Sequence, residues 1–301
     1  MAVLSVDLAC RRWSDLGVVI LNRVRPQPPG AAQDAVVECE VLPFVDPQLE
    51  PQGLGPGGPG PGGLVRQGLG ARRLGPRRLN ADAGIGAQID AEVLAGRLNH
   101  LCAIRGIHVL MLDGPQAWKS RTNGFEHARG CERQLNTAAK VGLPGKVKPI
   151  TYRSFAEFCM DVYDALCRRG WRRLATRDRP DWSTQRILVE SYPHAAWKSL
   201  GLKPLPAKRR ARVSDLAEAY GALRALIPFT TNRPPNHDQL QAIVGGLPGL
   251  DMGLALEEHN PARVRIVGNP PRREEGHWRE GFIVLPVPPR PAESLRRPNR
   301  D

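Results

Sequence analysis

The sequence lacks any uninterrupted apolar run approaching the roughly 20 residues that cross a bilayer, which excludes a membrane-spanning helix. Aromatic residues are few, at 5%, yet 41% of the chain is apolar, enough for a sizeable core and too much for a disordered protein. The six cysteines (Cys10, Cys39, Cys102, Cys131, Cys159 and Cys167) form no CxxC pair and no dense cluster, so neither a zinc ribbon nor a disulfide scaffold is indicated. Lysine is scarce as well: it supplies only seven of the 43 basic residues, which face 30 acidic ones for a net charge of +13. That excess favours polyanionic partners, nucleic acid first, through long-range attraction and counterion release, although an Arg-, Pro-, Gly- and Ala-heavy composition is also what GC-rich coding produces. At the N-terminus the apolar stretch precedes the arginines, the reverse of a secretory signal, so the expectation is a cytoplasmic protein without a membrane partner.

At 301 residues, one α/β core with an appendage is the leading expectation. Short β-branched runs around Val3, Leu4 and Val6, at residues 17–21 and at residues 36–42 are separated by polar or Pro-rich turns and predict an antiparallel three-strand meander. In residues 51–63, 11 of 13 residues are Gly or Pro; residues 44–84 are therefore expected to be a flexible insertion rather than a binding loop. The GLPGK at residues 142–146 lacks P-loop spacing. Helical spacing of apolar residues predicts a helix over 87–104, and the near-continuous apolar run at 107–112 a buried strand. A second helix is expected from a Ser154/Glu157 capping box to Gly170, and a further buried strand at 187–189. Helices over 213–227 and from an Asn236 N-cap follow, with late strands at 264–267 and 282–285. Three hairpin-linked strands followed by right-handed parallel crossovers make the element order of a ribonuclease H-like mixed sheet with flanking helices. The domain would comprise residues 1–43 and 85–290, with a disordered tail at 291–301.

Apolar strands have no structural use for acids, so those at strand ends are informative. Asp7 interrupts the first strand, Asp113 ends the fourth and Glu190 ends the fifth. If these strands are neighbours the three carboxylates converge, repel, and are best accommodated by a divalent cation. Mg²⁺ or Mn²⁺ there would serve phosphodiester cleavage. Each acid also has a plainer reading: Asp7 paired with Arg11 or Arg12, Asp113 as a turn former before Gly114 and Pro115, and Glu190 ion-paired with Arg186. Asp238, after His237 at a helix start, is either a fourth ligand or an acid favoured by the helix dipole.

Six ordered blocks, VDLA with Asp7, LDGPQAWKS (112–120), GCERQL (130–135), VESYPHAAWKSLG (189–201), NHDQLQA from Asn236 and WREGFIVLP, together resemble the DUF429 family of predicted nucleases. The resemblance implies a ribonuclease H-like fold with Asp7, Asp113 and Glu190 as metal ligands and Asp238 as the helix-borne acid. Related sequences often read HDxxDA where this chain has Gln241; an amide brings no negative charge, which points to a one-metal or inactive site.

In the same blocks His194 either orients a water or phosphate or is a helix-start histidine satisfied by backbone. Arg129, Glu132 and Arg133 form either a phosphate-binding surface or a solvated helical face. Lys119 and Lys198 could screen a phosphate, His237 could contact substrate, and Trp118 and Trp197 either stack a base or fill the core. The leading expectation is a metal-dependent phosphodiesterase acting on nucleic acid. The alternatives are a nucleic-acid-binding module without catalysis, and a phosphohydrolase or phosphotransferase acting on a small phosphorylated ligand.

Overall fold

Three β-branched segments open the chain as β1 (Ala2–Asp7), β2 (Gly17–Val24) and β3 (Val36–Leu42), pairing antiparallel in sequence order as their spacing predicts. The computed structural model describes residues 2–24, 36–44, 89–177, 185–254 and 264–288. The expected insertion, apart from Phe44, and the expected tail at 291–301 lie outside these residues.

Helix α1 (Ala91–Ile104) starts later than apolar spacing predicts, because Asp90 caps it by accepting the Val93 N–H at 2.9 Å. It leads into β4 (Val109–Asp113), then α2 (Gly130–Leu135) and the short pair β5 (Lys140–Val141) and β6 (Val147–Lys148). Helix α3 (Arg153–Arg168) is not opened by the expected capping box. Its N-cap is Tyr152, and Glu157 is held instead by Arg153 Nε at 2.9 Å, one helical turn earlier on the same face. After β7 (Arg172–Arg173) come β8 (Ile187–Ser191), α4 (Pro193–Ser199), α5 (Val213–Leu226) and β9 (Phe229–Thr231). Helix α6 (His237–Leu254) opens as expected at Asn236, which exchanges 2.9 Å hydrogen bonds with Gln239. The hairpin of β10 (Val264–Glu274) and β11 (His277–Pro286) completes the described chain.

The result is a mixed α/β architecture, a mostly parallel and partly antiparallel sheet flanked by helices. The order is β10-β11-β8-β4-β1-β2-β3-β9, with β7 also on β8. Strand β4 pairs parallel with β1 on one side and β8 on the other. Alternation sorts the side chains: Val3, Val19, Met111 and Val189 pack with Leu240, Ile243 and Val244 of α6 on one face. Leu4, Val6, Leu110, Leu112 and Leu188 pack on the other with Leu94 and Leu98 of α1 and Val162 and Leu166 of α3. Among the described residues no helix is long and apolar enough to cross a membrane.

Two glycines let α6 lie against the sheet. A Cβ on Gly246 would fall 2.5 Å from Leu21 Cδ1, and one on Gly17 would fall 2.2 Å from the Asp238 carbonyl oxygen. The second contact is with backbone, so no rotamer relieves it. Gly17 is paired with Asp7, which makes it the spacer that brings the start of α6 to the end of β1. Gly17→Ala is expected to lower the unfolding free energy by about 1–3 kcal/mol in urea titration, the usual cost of overpacking. An unchanged midpoint would contradict this contact.

Candidate functional site

In a parallel ladder, residues opposite one another across neighbouring strands share a face, and Asp7 is opposite Asp113. Both are partly buried at the C-terminal ends of adjacent strands, close enough for each carboxyl to act on the ionisation of the other. Burial, aggravated by Asp113 and Asp238, pushes Asp7 well above the usual carboxylate range. Burial, with Glu190 adding to it, pushes Asp113 up to about 7.

The third acid comes from the first turn of α6. Asp238 is buried; one oxygen lies 3.2 Å from His237 Nδ1 and the other contacts Lys208 Nζ. His237 Nε2 meets the Pro206 carbonyl at 2.9 Å, and the hydrogen bond to Asp238 raises the imidazole pKa. His237 is therefore an orienting group for Asp238. Asp7 and Asp238 line a cavity of about 960 Å³ whose exposed rim carries Arg11, Arg12, Lys208 and Arg209.

Glu190 meets this pair out of register: it stands level with Leu112 while Ser191 is opposite Asp113, yet it lines a small cavity together with Asp113 and Arg129 and adds to the rise of the Asp113 pKa. The Glu190 carboxylate accepts two hydrogen bonds from Arg129, at 2.7 and 2.8 Å, and the Gln116 N–H at 3.0 Å. An ion pair at Glu190 was one of the expected readings; its partner is Arg129, whereas Arg186 bonds to Asn99 and the Arg169 carbonyl.

Arg129 and Glu132 are correspondingly no phosphate-binding surface. Both are buried, with Arg129 Nε on Glu132 Oε1 at 3.1 Å and Glu132 Oε2 receiving the Val141 N–H at 2.9 Å. Only Arg133 of that trio is exposed, over the Phe125 ring. Lys119 is buried and donates to the Ser120 carbonyl at 2.8 Å, so it is not free to meet a phosphate. His194 and Lys198 are exposed on α4, where burial and Lys198 lower the His194 pKa; neither lines the cavity. Trp118 and Trp197 are buried, and Trp197 Nε1 donates to Gln241 Oε1 at 2.8 Å.

Two groups escaped the sequence reading. Lys208 opens a basic run, KRRAR at 208–212, and that charge cluster was the signal available. Glu280, at φ 62°, is buried and accepts the Ser120 and Gly130 N–H groups at 2.8 and 2.7 Å and Asn123 Nδ2 at 2.6 Å. It thereby clips the segment between β4 and α2 onto β11, and that segment carries Arg129 to Glu190. No local pattern announces such a role.

The donor set at the Asp7–Asp113 pair is all oxygen, the kind that could hold a hard divalent ion. The Ser191 hydroxyl, buried and level with Asp113, packs toward Gly245 of α6 and has no hydrogen-bond partner among the described residues. Among the described residues no three His, Cys, Asp or Glu side chains stand together as a ready-made metal cluster. The residues that could hold an ion are the two carboxylates Asp7 and Asp113, set side by side by the strand register.

The raised acids also bear on stability. Between the unfolded carboxyl pKa of about 4 and the folded value of about 7 for Asp113, the native state holds more protons than the unfolded chain. This stabilisation is complete below about pH 4 and is lost as pH rises to about 7, by up to ~1.4 kcal/mol per pH unit for each proton. Urea midpoints in EDTA are expected to fall from pH 5 to pH 8 and to recover at pH 8 on adding Mg²⁺. The slope should flatten in Asp113→Asn; an equally steep slope in that variant would remove the pair as its source.

Compared with protein-family models, with curated proteins and with solved structures, the chain finds no match in any of the three.

Proposed function

We propose that this chain is a divalent-metal-dependent phosphodiesterase acting on nucleic acid. The observation that carries the reading is the Asp7–Asp113 pair, in register on adjacent parallel strands with both carboxyl pKa values raised by burial, and with Asp238 at the start of α6 adding to the rise at Asp7. Such crowding is costly in a fold that has no structural need of it, and it is the arrangement a cation relieves. The order β3-β2-β1-β4-β8, an antiparallel meander continued by parallel crossovers, supports a ribonuclease H-like fold, and the six sequence blocks support kinship with the DUF429 family.

Asp7 and Asp113 would hold the ion. When bound, Mg²⁺ or Mn²⁺ supplies Lewis-acid polarisation of a phosphoryl oxygen. The chain's own residues supply the rest. Arg11 and Arg209 on the exposed rim offer guanidinium forks to backbone phosphates, in keeping with the +13 charge. The rim is open and basic, which suits a polymer better than a small phosphorylated ligand.

The test is incubation with single- and double-stranded DNA and RNA in Mn²⁺ or Mg²⁺. EDTA-sensitive cleavage of at least one substrate is expected. Salt-sensitive binding to all four without cleavage would replace this reading with that of a silent binding module, for which the neutral Gln241 is the favouring observation.

A further inference from the structure

The third acid of the site already has a cation. Lys208 Nζ contacts Asp238 and lies 2.9 Å from Asp15 Oδ1, the latter carried by the turn between β1 and β2. Asp15 is in turn gripped by Arg12 Nε at 2.8 Å. Burial acts against the Lys208 ammonium, but the hydrogen bonds to both carboxylates outweigh it and raise its pKa. About half of the Lys208 side chain, 48%, is exposed, and it lines the cavity beside Asp7, so the ammonium is reachable from where substrate would enter. One turn along α6 from Asp238, position 241 carries no charge, and its Oε1 is committed to the Trp197 indole.

A site with two divalent ions needs carboxylates for both. Here Asp7 and Asp113 serve one position, and the remaining acids, Asp238 and Asp15, are bridged by a side-chain cation. We propose that Lys208 is the second cation of this site: its ammonium stands where a second metal ion would otherwise bind and meets a non-bridging oxygen of the phosphodiester. This inference rests on the metal-dependent reading above. A fixed ammonium on the protein makes the site a one-metal site by construction.

The experiment counts bound Mn²⁺ on the full chain by electron paramagnetic resonance of the free ion, at pH 8 and without substrate. One Mn²⁺ is expected for the parent chain and for Lys208→Arg. Two are expected for Lys208→Ala and Lys208→Gln, because Asp15 and Asp238 are then left without their bridging cation. At low Mn²⁺, cleavage by Lys208→Ala should fall about 100-fold, the order of cost of losing one charge-stabilising group. It should recover in part as Mn²⁺ rises. Two ions in the parent chain, or one in both parent and Lys208→Ala with unchanged cleavage, would overturn the role of Lys208 while leaving the phosphodiesterase reading intact. No ion in any variant would overturn both. Lys208 is half exposed, and circular dichroism of each variant confirms that it is folded.

Discussion

Asp7→Asn is expected to lower metal-dependent cleavage by at least ~10³-fold, because several kcal/mol of transition-state stabilisation depend on the ion that this carboxylate holds. The same substitution should raise stability in metal-free buffer at pH 8. The parent chain there keeps Asp7 and Asp113 crowded, with burial and mutual repulsion both opposing ionisation. Asparagine is nearly the same size, can still donate a hydrogen bond to Asp113, and removes one of the charges. A gain of about 1–3 kcal/mol is expected, on the scale of one or two units of relieved pKa shift. Rate measurements under single turnover and urea titration in EDTA check the two halves. Opposite signs are the point: an ordinary structural aspartate loses stability when amidated, whereas a ligand in an ion-free site gains it. Loss of both activity and stability would mark Asp7 as structural.

The second large effect is on folding. Arg129→Ala is expected to cost about 3–5 kcal/mol, because it leaves the Glu190 and Glu132 carboxylates buried beside one another without their shared cation. With domain stabilities of about 5–15 kcal/mol, that is enough to bring the chain close to unfolding at 37 °C. The double variant Arg129→Met with Glu190→Leu removes charge on both sides and should recover most of the loss, as apolar replacements of buried pairs do. In that double variant, Mn²⁺ binding at Asp7 and Asp113 should persist, since both Glu190 oxygens are committed to Arg129 and the Gln116 N–H in the parent chain. Loss of the ion there would return Glu190 to the metal site and refute the assignment of Arg129 and Glu190 to the framework.

Much of the architecture was legible along the chain because it rests on local periodicity. The β-branched runs of the meander, the apolar strands around residues 109–113 and 187–191, and the Asn236 helix start all lie close to where their patterns put them. Strands of two or three residues, such as Arg172–Arg173 and Phe229–Thr231, are too short to show a period, and only pairing with distant partners makes them strands. Helix starts failed where side chains found other partners. Asp90 claimed the start of the first long helix, and Arg153 took Glu157 from Ser154.

The candidate site divides in the same way. That Asp7, Asp113 and Asp238 sit at the ends of apolar or helical segments is a property of the sequence, and so is the net positive charge. Whether an acid two-thirds of the way along the chain joins them is not. It depends on the register between strands that are distant in sequence, and a shift of one residue exchanges the two faces of a sheet. Opposite Asp113 the ladder sets Ser191, so Glu190, one step out of register, is taken up by Arg129, which lies 61 residues earlier and arrives there on a loop tied down by Glu280. Lys208 reaches Asp238 by a similarly non-local route, with Gly17 setting the distance at which the helix start meets the sheet. Residue identity determined which groups could carry charge; only the packing of distant segments decided which charges would be neighbours, because that choice is made by long-range pairing and not by any periodicity a single segment contains.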